Sequence, residues 1–282
     1  MTDFTERYGE WALVLGASEG LGRAIAAQAA AHGMKVAMVA RRPELLRMAA
    51  EDIAAEYGVE TRAIAADCGD PHIVETIEAA LHDVAIGLMI YNCAAEPHGT
   101  FLDQDIAEHH YNIAVNCTGP SLLVHHFGRQ MVARGRGGIV LCSSLAAEQG
   151  IYSYVSYGAA KAYEMILGEG LWDELADHGV DAATLMVGST YTPNFIKQQR
   201  KKGTLFAETR TPANLPEGVP VPQTPEDAAS HLFRQMAGQW LPRFFANPRD
   251  EVRAGEMKAM SRVELVKRMG DAMRSGYRAM AQ

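Results

Sequence analysis

Apolar residues fall along this chain in short blocks, separated by longer stretches in which they recur every three or four positions. The blocks are Trp11–Leu15, Lys35–Ala40, Thr61–Ala65 and residues 88–91, 138–142, 181–187 and 243–246. Runs this short, closed by glycine or polar residues, predict about seven buried strands. The stretches between them predict helices over residues 23–32, 43–57, 106–133 and 157–178, with others opening at Pro71 and Pro225. Gly33 stops the first helix, Pro43 sits at a tolerated first-turn position of the second, and Ser261 and Glu264 form a capping box for a last helix toward Met280. Strands alternating with helices at this spacing predict an α/β fold: a doubly wound parallel sheet with helices on both faces. Residues 1–282 read as one domain. Two parts depart from the alternation. Residues 189–224 carry five prolines and the basic run Lys197, Arg200, Lys201 and Lys202, which reads as a lid or binding loop. Residues 249–282 read as a helical extension.

Composition narrows the function. With 282 residues the chain is long enough to bury a substantial core. A net charge of -8 excludes the basic footprint that a nucleic-acid binder needs. No apolar run reaches the ~18 residues of a membrane span. Cys68, Cys93, Cys117 and Cys142 form no metal-binding spacing, so reduced, packed thiols and a cytoplasmic protein are expected, with no bound metal.

Two motifs carry chemistry. Tyr157 and Lys161 lie four positions apart, on one face of a helix. A phenol with a pKa near ~10 holds its proton too firmly to act as a base at neutral pH, and a neighbouring ammonium lowers that value. Upstream, Gly16, Gly20 and Gly22 follow the first strand and open the first helix as G-x-x-x-G-x-G. Glycines there let a dinucleotide pyrophosphate approach the backbone and the helix N-terminus.

With Asn92, Asn116 and Ser144 between these motifs, the chain resembles the short-chain dehydrogenase/reductase family, in its single-domain branch with G-x-x-x-G-x-G and Y-x-x-x-K. The resemblance spans roughly residues 11–192. It implies a Rossmann-type fold, hydride transfer to or from a nicotinamide cofactor, and a catalytic set of Asn116, Ser144, Tyr157 and Lys161. Tyr157 would exchange a proton with the substrate oxygen and Ser144 would hydrogen-bond it; Ser143, one residue earlier, competes for that role. Lys161 would lower the tyrosine pKa and bind the ribose. Asn116 would hold a water that passes protons to Lys161; without the family it reads as a structural asparagine. The cofactor-binding residues implied are Gly16, Ser18, Glu19, Gly20, Leu21 and Gly22 in the turn, Arg41 and Arg42 after the second strand, Asp67 and Cys68 after the third, Asn92 and Ala94 after the fourth, Tyr157 and Lys161, and Gly188, Thr190 and Thr192 after the sixth. A homodimer or homotetramer is the family's usual assembly.

At the end of the second strand a carboxylate would bind the ribose 2′-hydroxyl of NAD, and an arginine the 2′-phosphate of NADP. Here Ala40 occupies the acid position and Arg41 and Arg42 follow, which favours NADP(H), although Glu19 inside the glycine turn points the other way. The family's Pro-Gly after the sixth strand is Val187-Gly188, and Ala95 replaces a glycine after the fourth. The expected substrate is a small-molecule ketone, aldehyde or alcohol. Glu96, Pro97, His98, residues 148–154 and the loop after Thr192 are placed to select it, with Tyr152, Tyr154 and Phe195 as an apolar wall. The basic run would suit an anionic substrate or serve as a solvated lid face. A 3-oxoacyl thioester reductase and a dinucleotide-sensing regulator without turnover are the competing functions.

Overall fold

The computed structural model describes residues 3–201 and 222–278. Seven parallel strands stand in the order β3-β2-β1-β4-β5-β6-β7: β1 Trp11–Leu15, β2 Lys35–Ala40, β3 Thr61–Ala65, β4 Ile86–Tyr91, β5 Gly137–Ser144, β6 Val180–Val187 and β7 Arg243–Phe245. The crossovers carry α2 Gly20–Ala31, α3 Pro43–Tyr57, α4 Ile73–Leu81, α5 Ile106–Ile113, α6 Gly119–Arg134 and α7 Val155–Glu174. After β6 come α8 Pro193–Lys201, α9 Pro225–Met236, α10 Pro248–Ala259 and α11 Arg262–Arg278; α1 Phe4–Tyr8 precedes the sheet.

The central strands β1, β2 and β4 read as apolar runs because both of their faces are covered, whereas the edge strand β3 buries only Ile64. Ala12 and Val14 of β1 and Val36 and Met38 of β2 face one core with Ile25 and Ala29 of α2, Leu46 and Ile53 of α3 and Phe233 of α9. Leu13, Leu15, Ala37 and Val39 face the other, with Ile73 and Ile77 of α4 and Leu123 and Phe127 of α6. Full burial of the valine, leucine, isoleucine, methionine and phenylalanine side chains among these contributes ~1.5–3 kcal/mol each. The strand order reverses direction between β1 and β4. The carboxyl ends of the strands open a crevice there, and the site lies in it.

Three features depart from the sequence expectation. The helix expected over residues 106–133 is two helices joined by a single π-helical turn, Ala114–Thr118, in which Gly119 N donates to Ala114 O. Polar Asp3 to Arg7 conceals α1: Asp3 Oδ1 caps it by accepting from Thr5 N and Glu6 N, and Phe4 and Tyr8 are buried. Its far end straps the sheet, with Arg7 paired to Asp181 at 2.7 Å. The proline-rich segment holds α8, which starts with Pro193 at its first position, where the missing N–H costs nothing. The two ends of this segment meet. Thr190 bridges Gln223, and Gln223 Nε2 donates to Thr190 Oγ1 at 3.0 Å. Residues 202–221 of that segment, with Lys202, Pro212, Pro216 and Pro220, lie outside the described residues.

Candidate active site

The turn between β1 and α2 packs so tightly that its glycines are required. A Cβ on Gly22 would collide with the Gly16 carbonyl, and Gly16, at φ +78°, has Asn92 O in the way of any side chain. Glu19 occupies the N-cap of α2 without capping it, and the first turn contains no acidic residue. The helix N-terminus is therefore open to an anion, with backbone N–H groups and a positive dipole end. Thr192 and Pro193 lie against Gly20 on the other side. This cradle fits a dinucleotide pyrophosphate, which Gly16, Ser18, Gly20 and Leu21 would hold.

A cleft of ≈ 780 Å³ runs from this turn across the ends of β2, β4, β5 and β6. Of the residues assigned to the cofactor from sequence, Gly16, Ser18, Glu19, Gly20, Leu21, Arg41, Arg42, Asp67, Cys68, Asn92, Ala94, Tyr157, Gly188, Thr190 and Thr192 line it. Gly22 and Lys161 stand behind the wall. At the β2 end the two arginines are engaged differently. Arg42 Nη2 pairs with Glu19 Oε1 at 2.6 Å and reaches Ser18 Oγ at 3.3 Å. The acid that points away from NADP is thus itself neutralised by an arginine. Arg41 Nη1 donates to Tyr111 OH at 2.6 Å, and Tyr111 OH donates to Asp67 Oδ2 at 2.9 Å. Partial burial and the bond to Asp67 push the Tyr111 phenol up to about 12. The sequence reading misses Tyr111, which lies on α5 and is brought to the β3 end only by the fold.

After β4, Ala95 is held from both sides. Asn116 Nδ2 and Asn112 Nδ2 donate to Ala95 O at 2.7 and 2.8 Å, and Ala95 N donates to Asn116 Oδ1 at 3.2 Å. Both asparagines are fully buried, and the π turn is what carries Asn116 to this position. Its amide is committed to the chain beside the cleft. Cys68 Sγ and Cys93 Sγ lie 3.0 Å apart as free thiols, and this contact, followed by burial, raises Cys93 above its ordinary pKa.

The adjacent serines separate cleanly. Ser143 is buried and donates to Lys161 O at 2.7 Å. Ser144, at the end of β5, lines the cleft with Tyr157 and accepts from Ala146 N at 3.1 Å. Tyr157 is half-buried in the first turn of α7. Its phenol is pushed above its usual value, chiefly by desolvation, with Glu96 and Glu164 adding to the rise and a hydrogen bond with Ser144 opposing it. Lys161 sits on the same helix face, its Nζ 5.9 Å from the Tyr157 ring centre. That ammonium donates to Cys142 O at 2.9 Å and to Glu164 Oε2 at 2.7 Å, and both side chains of the pair are almost wholly buried. Glu164 has no counterpart in the sequence reading.

On the substrate side, Glu96 Oε1 lies 3.5 Å from His98 Nε2, and the His98 ring packs edge-on against Tyr154, with centres 4.4 Å apart. Tyr154 packs in turn on Tyr157. Phe195 and Lys197 of α8 line the cleft; Tyr152 does not, and stacks under Arg274 instead. Leu145, Ile151, Met257, Met269 and Met273 complete an apolar wall, the three methionines coming from the C-terminal helices. Gln149, in the same wall, is buried with neither side-chain heteroatom hydrogen-bonded.

The protein can be compared with known ones on this basis. The family model for short chain dehydrogenases matches residues 10–203. A 7β-hydroxysteroid dehydrogenase of Clostridium sardiniense is 31% identical over 268 residues, which covers 95% of this chain and 97% of the relative. One from Collinsella aerofaciens is 32% identical over 237 residues, 82% of this chain and 84% of the relative. A structure from a study of 7β-hydroxysteroid dehydrogenase stereoselectivity superposes with a TM-score of 0.85 at 30% identity, covering 95% of this chain and 99% of that one. Among the described residues no helix is long and apolar enough to cross a membrane. The glycine cradle, the serine and tyrosine side by side at the cleft and these likenesses agree: the chain belongs to the short-chain dehydrogenase/reductase family, as a dinucleotide-dependent oxidoreductase acting on CH–OH groups and carbonyls.

Proposed function

We propose that the protein is an NADP(H)-preferring oxidoreductase that interconverts a ring ketone and a secondary alcohol on a bulky, steroid-like substrate. The observation that carries this reading is the pairing of Ser144 and Tyr157 on the cleft wall, with the Lys161 ammonium behind them. The bound dinucleotide supplies or accepts the hydride. Tyr157 holds the proton at its phenol oxygen and gives it to the carbonyl oxygen in reduction, or takes it from the hydroxyl in oxidation. Ser144 Oγ donates to the same oxygen and fixes the carbonyl, a small oxyanion-hole contribution. Asn116 and Asn112 fix the backbone at Ala95, between Ala94 and Glu96 of the cleft wall.

NADP(H) preference rests on Arg41 and Arg42, two guanidiniums suited to a 2′-phosphate. The choice of a bulky apolar substrate rests on the wall of Leu145, Ile151, Phe195 and the three methionines, and on the steroid substrates named for the relatives. Residues 189–201, which end in α8, serve as the lid over that wall. The protein works as a homodimer or homotetramer through α5, α6 and α7, where Ile113, Tyr163 and Ile166 are exposed. Four free cysteines fit the reducing cytoplasm.

The test is oxidation of NADPH against NADH over 7-ketosteroids, small ketones and 3-oxoacyl thioesters, with Tyr157→Phe alongside. Turnover that prefers NADPH and a 7-ketosteroid, and falls by at least about a hundredfold in the variant, is the expected result. Wild-type turnover in Tyr157→Phe removes the tyrosine from the mechanism.

A further inference from the structure

The Lys161–Glu164 pair lies almost wholly inside the protein, one turn behind the residue that exchanges protons with substrate. An ammonium has three protons to donate, and here one goes to Cys142 O and one to Glu164 Oε2, which leaves a single donor for the cleft side. Glu164 Oε1 has no hydrogen-bond partner and its side chain is fully buried. An ionised carboxylate held this way cancels the charge that would otherwise favour the Tyr157 phenolate. A protonated one leaves that charge uncompensated.

We infer that Glu164 is a positioning residue: it holds the Lys161 ammonium and sets how much of its charge reaches Tyr157, and thereby the pH range in which the tyrosine exchanges its proton. This rests on Tyr157 being the acid and base of the reaction.

The groups packed around the pair come from every neighbouring element. Tyr91 ends β4, Cys93 follows it, Cys117 lies on the π turn, Cys142 lies on β5, and Glu96 faces Tyr157 from the loop after β4. Burial pushes Cys117 up to about 11 and Cys142 up to about 12, chiefly by desolvation, and Tyr91 and Cys93 also rise, so these four stay neutral at physiological pH. Thr184 of β6 contributes no charge and donates to the main-chain oxygens of Met165 and Glu164. Burial lifts the Glu164 carboxyl to about 7 against the pull of Lys161. Of Tyr91, Cys93, Cys117, Cys142 and Glu164, only Glu164 therefore changes charge near neutrality; outside that set, His98 packs on Tyr154 beside Glu96 and His109 bonds to Ser156. The negative form of Glu164 raises the Tyr157 phenol.

Glu164→Gln keeps the shape and a hydrogen-bond acceptor for Lys161 while removing the charge. In oxidation of a 7β-hydroxysteroid with NADP⁺, the ascending limb of the kcat/KM pH profile should move toward acid by about one unit, and Glu164→Asp should stay near the parent profile. A Glu164→Gln profile with an unmoved midpoint overturns the inference, as does a loss of rate that is equal at every pH. Tyr157→Phe separates the two claims. Full activity in that variant sinks the catalytic assignment itself, whereas an inactive Tyr157→Phe beside an unmoved Glu164→Gln profile sinks only the role of Glu164. Should the steroid not turn over, carboxyl ¹³C resonances of glutamate-labelled protein decide. The resonance absent from Glu164→Gln should titrate between about pH 6 and 8 and move further alkaline in Lys161→Met. Titration near the ordinary carboxylate value overturns the proposal.

Discussion

Two ion pairs flank the cleft at almost the same separation, 2.6 Å for Arg42–Glu19 and 2.7 Å for Lys161–Glu164. Their surroundings differ completely. The Arg42 and Glu19 side chains are 57% and 31% exposed, whereas those of Lys161 and Glu164 are 3% and 0% exposed. Water and salt screen the first pair, so it can open cheaply and offer its arginine to a ligand. The second has given up hydration on both sides, and neither partner can change without the other responding. One cleft thus holds a pair suited to recognition and a pair suited to control of protonation, and burial rather than distance separates the two.

The largest expected break in this comparison is Lys161→Met. Removing one partner of a buried pair leaves the other unpaired and forces its carboxyl to take up a proton at alkaline pH, so denaturant unfolding at pH 8 should show a loss of about 3–5 kcal/mol. At pH 5.5 the loss should shrink, because the carboxyl is then protonated in the parent too. A cost that does not depend on pH would mean that Glu164 never ionises in the folded protein.

Next is the pH dependence of stability. The folded value of Glu164, about 7, lies above its ordinary 4.5. The folded state therefore binds the proton more tightly, and stability from this group is fully present below pH 4.5 and is lost as pH rises toward 7. Relative to the parent, Glu164→Gln should gain stability across that window, on the order of 3 kcal/mol in all, beyond any constant offset. Parallel Tm curves for the two proteins from pH 4.5 to 8 would contradict this.

The exposed pair should respond less and in another quantity. Replacing Arg41 and Arg42 together by alanine should raise KM for NADPH roughly 10- to 100-fold, the worth of one charge-assisted hydrogen bond or so, with NADH little changed. Smallest is Glu19→Gln, which frees Arg42 and should tighten NADPH binding by about two- to threefold, an effect that disappears in high salt. Tighter binding of NADH in the same variant would mean that Glu19 does not compete with a phosphate.

The same contrast explains how much could be read from the sequence. Trp11–Leu15 and Lys35–Ala40 were legible because each is an apolar run buried on both faces and closed by a turn; they and the edge strand Thr61–Ala65, in which only Ile64 is buried, keep the bounds the pattern predicts. The glycine turn, Ser144 and Tyr157 were legible because they lie at fixed offsets along those elements. Glu164 was not, since a lysine and a glutamate three apart on a helix look the same whether solvated or buried. The surrounding Ala160, Ala162, Met165 and Gly168 were the available hint, a helix too apolar to spare a charged face. Tyr111, Met257, Met269 and Met273 reach the cleft from helices distant in sequence, and local patterns carry no trace of that. The break at Ala114–Thr118 leaves the apolar period almost intact and so passes for continuous helix, while α10 announces itself only through Asn247 before Pro248, where Asn247 Oδ1 accepts from Asp250 N.

That break also bears on how such a chain can change over generations. A π turn is one residue longer than the α-helical turn it replaces, so it stores an insertion inside a packed helix. Substitutions at the exposed Ile113 or Thr118 leave its length alone. Deleting a single residue between 114 and 118 would restore regular helix but rotate Asn112 relative to Asn116, and the two amides could no longer converge on Ala95. The loops of this fold can lengthen and shorten freely, but here, inside a helix, residue count itself is inherited as part of the site.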